Sequence, residues 1–79
     1  MKLQQLKDYL DDYSLDFYFQ VNKKDCGIET EVKNYIPTFT LWYGDFYRDY
    51  KDKDLLVNDK IFDGKSLRQL LPKLNIEVY

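Results

Sequence analysis

An α+β fold, with a helix packed on one mainly antiparallel sheet, is predicted by three observations: helical spacing of apolar residues near the N-terminus, a switch to strict alternation after Ser14, and a Gly-Asp pair between aromatic residues at 44–45. Leu3, Leu6, Leu10 and Tyr13 recur at intervals of three and four, which puts them on one stripe of a helix over Lys2 to Tyr13. From Leu15 the apolar period shortens to two. Leu15, Phe17, Phe19 and Val21 alternate with Asp16, Tyr18 and Gln20, the pattern of a strand with one buried face. The polar run Asn22 to Gly27 reads as a turn, and Ile28 to Lys33 as the returning strand of a first hairpin.

Asn34 to Pro37 interrupts the chain, and Thr38 to Tyr43 is β-branched and aromatic throughout. Gly44-Asp45 suits a two-residue type II′ turn, which needs Gly first. That register pairs Tyr43 with Phe46, Trp42 with Tyr47, Leu41 with Arg48, Thr40 with Asp49 and Phe39 with Tyr50. One face then carries Phe39, Tyr50, Leu41, Tyr43 and Phe46, and the other Thr38, Thr40, Asp49, Trp42 and Tyr47. Beyond this second hairpin, Asp52 is placed to cap a short helix through Leu55 to Val57, with a strand over Leu55 to Val57 as the alternative. Asp63 to Ser66 reads as the turn before another helix, with Leu67, Leu70 and Leu71 facing inward and Pro72 near its end. Asn75 to Tyr79 alternates as a C-terminal strand. The expected architecture is an N-terminal helix, two consecutive antiparallel hairpins, one or two short helices and a terminal strand, with the long helix across one face of the sheet.

A chain of 79 residues has room for one core, so residues 1–79 are expected to form a single domain. Eight Tyr, five Phe, one Trp and no Ala make more ring area than so small a body encloses, which sends some rings to the surface. Cys26 is the only cysteine, and the first residues lack the apolar run of a signal peptide; both point to a reducing, cytoplasmic setting. No stretch resembles a membrane span, so no membrane partner is expected. Twelve basic residues nearly balance 14 acidic ones for a net charge of −2, which offers no basic field for phosphate. Scarce Gly, Pro and Arg beside abundant Lys, Asp, Asn and Tyr suggest an AT-rich bacterial or phage genome.

Catalytic chemistry is hard to assemble from this inventory. Histidine is absent, which removes the commonest general base and, with a single Cys, the ligands of a zinc site. Cys26 is expected to be a turn-adjacent cysteine with no role. Gly64-Lys65-Ser66 resembles part of a phosphate-binding loop, but the upstream glycine of that motif falls at Asp59, so a helix-start turn is the better reading. Asp8 and Asp12 lie one helical turn apart as on a solvated face, and Asp45, Asp49, Asp52 and Asp54 are interspersed with Arg48, Lys51 and Lys53 and do not match a calcium loop. No enzyme activity, cofactor, metal or small-molecule substrate is expected. Imitation of nucleic-acid phosphate calls for a strong negative field, which the near balance of charge does not supply, although a local acidic stripe could still serve.

The aromatic surface carries the functional expectation. Tyr18, Trp42 and Tyr47 fall opposite the core alternation; either a helix covers and buries them, or they form a contact patch with Arg48 or Tyr50 nearby. Trp, Tyr and Arg are the side chains that most often anchor protein interfaces. The chain therefore reads as a non-catalytic module that binds another protein, such as a phage- or mobile-element-type modulator of a host protein, or that dimerises through the same patch. The alternative is a single-stranded nucleic-acid binder stacking bases on these rings. Asp45 and Asp49 beside them make nucleic acid the less favoured partner.

Overall fold

Helical spacing closes the first element early. In a computed structural model that describes residues 1–79, helix α1 spans Leu3–Leu10 and buries Leu6 and Leu10 completely. It stops short of Tyr13 because the Asp12 carboxylate accepts from both the backbone N–H and the hydroxyl of Ser14, at 3.2 and 2.7 Å, an Asx turn that competes with helical hydrogen bonding. Tyr13 still touches the core edge, its ring 6.2 Å from that of Phe39.

Four strands follow as a meander: β1 Phe17–Val21, β2 Lys24–Lys33, β3 Ile36–Tyr43 and β4 Phe46–Tyr50. The polar run expected to be a six-residue turn is a two-residue one. Asn22 and Lys23 both adopt positive φ, 51° and 65°, as a type I′ turn requires, and Lys24 to Gly27 belong to β2. Cys26 is therefore a strand residue opposite Phe19, fully buried, rather than a turn residue. The expected break at Asn34 to Pro37 shrinks in the same way, to Asn34 and Tyr35 at φ 51° and 65°. Pro37 sits inside β3 opposite Val32. Because Lys33 and Ile36 close the turn, the Val32–Pro37 pair is a non-hydrogen-bonded one. The missing N–H of Pro37 then points away from β2, on the side where β4 ends at Tyr50 opposite Phe39.

The Gly44-Asp45 turn and all five pairs of its hairpin have the expected register, Gly44 taking φ 59°. Asp52 caps α2, Lys53–Asn58, by accepting from the Asp54 N–H at 2.6 Å, so Leu55 to Val57 is helix and not strand. Ser66 and Gln69 form a reciprocal capping box at the start of α3, Leu67–Leu70, which runs into a short 3₁₀ turn, Leu71–Lys73, holding Pro72. Strand β5, Glu77–Val78, is shorter than the expected Asn75–Tyr79, although Asp16 and Tyr79 extend its ladder by two backbone bonds.

The strand order is β4-β3-β2-β1-β5, every neighbour antiparallel. Period-two alternation sends Phe17, Phe19, Val21, Cys26, Ile28, Phe39, Leu41, Tyr43 and Tyr50 to one face, where they form a single core with Leu6, Leu10, Leu56, Val57, Phe62, Leu67 and Leu71. Phe46 shares the parity of that face but remains 42% exposed, because β4 is the sheet edge and only Arg48 lies over its ring. All the helical residues of the core meet this one face. The other face of the sheet has no cover.

Candidate interaction surface

Uncovering one side of the sheet exposes a row of residues that the ladder aligns across all five strands: Tyr47, Trp42, Gly27, Tyr18 and Glu77. Trp42 is only half-buried, and its shielding comes from the sheet rather than from a helix. Its indole lies across Gly27, where a Cβ would stand 2.4 Å from the ring. The Tyr18 ring closes the far side at 6.1 Å and tilted by 53°. Gly27 is thus the vacancy that lets the only tryptophan lie along the sheet, a close approach of side chain to backbone that no other residue permits. Tyr47, on the edge strand, is 70% exposed.

Three of the five expected contact residues, Tyr18, Trp42 and Tyr47, therefore share one row. Arg48 and Tyr50 do not join them. Their strand parity places them on the helix-covered side, where Tyr50 is buried and its hydroxyl and the Arg48 guanidinium both donate to Asp59, each at 2.7 Å. These two bonds hold the Asp59 carboxyl below its ordinary range, the Tyr50 bond first and the Arg48 bond second, and burial pushes the Tyr50 hydroxyl up. Arg48 and Tyr50 tie the end of α2 to β4, a structural task.

Carboxylates border the aromatic row on both sides. Asp49, Thr40 and Glu29 form the next row, which Asp16 continues through its bonds to Tyr79; Asp25 and Gln20 lie on the opposite flank. By parity the strands of the open face hold Asp25, Glu29, Glu31, Asp49 and Glu77 against Lys33, with Asp16 and Lys51 one residue beyond β1 and β4. Five carboxylates and one lysine give the strands of this face a charge of −4 on a chain of −2, so the remainder of the molecule carries +2. The partners of these acids differ from those elsewhere. On the helical side Asp54 meets Lys7, Asp59 meets Arg48 and Asp11 meets Lys53, whereas only Glu31 of the open face has a cation within reach, Lys33 at 3.5 Å. Asp25 accepts instead from the Tyr18 hydroxyl at 2.7 Å and from Gln20 at 3.0 Å, Asp49 from Thr40 at 2.6 Å and Glu77 from Tyr79 at 2.6 Å. The Tyr18 bond and then the Gln20 bond lower the Asp25 pKa, so the acid stays ionised, and the Asp25 bond in turn raises the pKa of Tyr18.

Gly27 and the carboxylates of this face other than Asp49 escaped the sequence reading. The signal for Glu29 and Glu31 was present in their alternation with Ile28 and Val32; that for Gly27 was hidden by its placement in a turn. A second exposed feature is the tip of the β2–β3 arm, where Tyr35 is 99% and Ile36 59% exposed.

Other sequence candidates resolve into packing. Burial pushes the Cys26 thiol up to about 11, which leaves it protonated near neutrality and makes it a small apolar filler. Asp63 accepts from Asn22 at 2.7 Å, with the Tyr43 hydroxyl at 3.4 Å, so the segment that resembles a phosphate loop is held by a carboxylate. No group of three His, Cys, Asp or Glu side chains converges as metal ligands would, and no helix is long and apolar enough to cross a membrane. No protein-family model, curated protein or solved structure matches the chain.

Proposed function

We propose that the protein is a non-catalytic module that binds another protein through the open face of its sheet, with Trp42 at the centre and Tyr18 and Tyr47 on either side. The observation that carries this reading is Trp42, a large apolar side chain left partly exposed on a face that no helix covers, seated over a glycine. An aromatic anchor inside a polar rim is the usual anatomy of a protein interface. The rings are held by the sheet, so little conformational entropy is lost when a partner covers them.

The compartment proposed is the cytoplasm, with the sole cysteine reduced and buried, and the role that of a bacterial or phage modulator of a host protein. Stacking of single-stranded nucleic acid on the same rings is opposed by the −4 charge around them, which repels phosphate. Face-to-face dimerisation is opposed by the same charge on both copies. Light scattering is expected to find a monomer.

Affinity capture from the source cell tests the reading when the native chain is compared with a Trp42→Ser/Tyr47→Ser variant whose circular dichroism is unchanged. A partner held by the native chain should be lost from the variant. Retention of every captured protein by the variant would contradict it.

A further inference from the structure

We propose that the surface docked on the open face is the basic surface of another protein, with one of its arginine or lysine side chains placed over Trp42. This rests on the reading of that face as the binding site and names the chemistry of its partner.

Three observations lead there. Charge is partitioned by the sheet: −4 lies on the strands of the open face and +2 on the rest of the molecule, although the whole chain is close to balanced. The open-face acids are also kept available. Asp25, Asp49 and Glu77 are oriented by hydroxyl and amide donors, which fix a carboxylate without cancelling its charge, while Arg and Lys neutralise Asp11, Asp54 and Asp59 on the helical side. Finally, the acids flank the aromatic row on both sides, so a cation drawn to them arrives at Trp42, the ring with the strongest attraction for a positive group. Such a face steers a basic partner and discriminates against acidic ones and against nucleic acid.

The test uses the full chain and a peptide of alternating arginine and glycine, with a glutamate-glycine peptide and a thymidine 20-mer as comparisons, followed by calorimetry and by Trp42 fluorescence. Saturable binding of the arginine peptide is expected, with a shift in Trp42 emission and loss of affinity as salt rises; the other two probes should not bind. Neutralising two open-face acids, Glu29→Gln with Asp49→Asn, should weaken binding about tenfold, roughly the worth of two exposed ion pairs. Removing the same charge from the helical side, Asp8→Asn with Asp12→Asn, should change it by less than about twofold. Equal effects of the two double variants, or tighter binding of the oligonucleotide than of the peptide, would overturn the proposal. If a captured partner depends on Trp42 but tolerates Glu29→Gln/Asp49→Asn, the binding face stands and its preference for a basic surface falls. Full calorimetric affinity of the arginine peptide for a Trp42→Ser chain would remove both.

Discussion

The two faces of this sheet use the same residue types to opposite ends. On the helical face aromatic rings are buried among leucines, and Asp11, Asp54 and Asp59 are matched by Lys or Arg. On the open face a row of partly to fully exposed rings is bordered by carboxylates of which Asp25, Asp49 and Glu77 are matched by hydroxyls. The helical face covers its own apolar area. The open face has negative charge and apolar area left over, the two quantities a partner can use, and the difference locates function more sharply than the total of −2 or the abundance of aromatic residues did.

Substitutions should separate the faces by size of effect. The largest loss is expected in the core: Phe19→Ala, at a position 2% exposed, should cost about 3–5 kcal/mol in chemical denaturation. A loss below about 1 kcal/mol would mean that the helices do not close on β1 as described. Gly27→Ala comes next. Its added methyl would stand 2.4 Å from the Trp42 ring, so the indole must lift from the sheet, at a cost of about 1–3 kcal/mol and with a red shift of its emission. An unchanged spectrum would show that Trp42 does not rest there.

Acid should strike the helical face through Asp59. Its carboxyl pKa is lowered in the fold by Tyr50 and then Arg48, so the stability it contributes is present above the unfolded carboxylate range near pH 4 and is lost as pH falls through the lowered value. Thermal denaturation of Asp59→Asn is therefore expected to depend less on pH between about 5 and 2 than that of the native chain. Parallel curves would assign the acid sensitivity to another group. Smaller still, and of opposite sign, Tyr35→Gly should stabilise by about 0.5–1 kcal/mol, since Tyr35 holds φ 65° with a side chain 99% exposed. At the bottom of the scale, Tyr47→Ser should shift stability by no more than about 0.5 kcal/mol, because that ring packs on little.

The same contrast explains what the sequence disclosed. The Gly44 hairpin was legible to the residue because a type II′ turn demands Gly first and so sets the register of every pair behind it. The two type I′ turns were not. They usually announce themselves as Asn-Gly, and here Lys23 and Tyr35 take the second left-handed position, so each turn looked longer than it is and Gly27 was lost from its strand. For Arg48 and Tyr50 the information was in hand: pairing with Leu41 and Phe39 already put them on the core face, and nearness in sequence to Tyr47 obscured it. Which side the helices cover is a tertiary property that no local pattern encodes. Trp42 and Tyr47 therefore remained undecided between cover and exposure until the fold placed every helix on the opposite face.

Collisional quenching of Trp42, the sole tryptophan, by iodide and by caesium tests this arrangement most directly when each constant is taken relative to free N-acetyltryptophanamide at matched low ionic strength. An open face of charge −4 predicts that Trp42 is quenched by both, with caesium favoured over iodide and the preference fading as salt rises. Protection from both ions would mean a covered face, and a preference for iodide would mean a basic one; either result contradicts the partly exposed, acid-bordered Trp42 on which the proposed function stands.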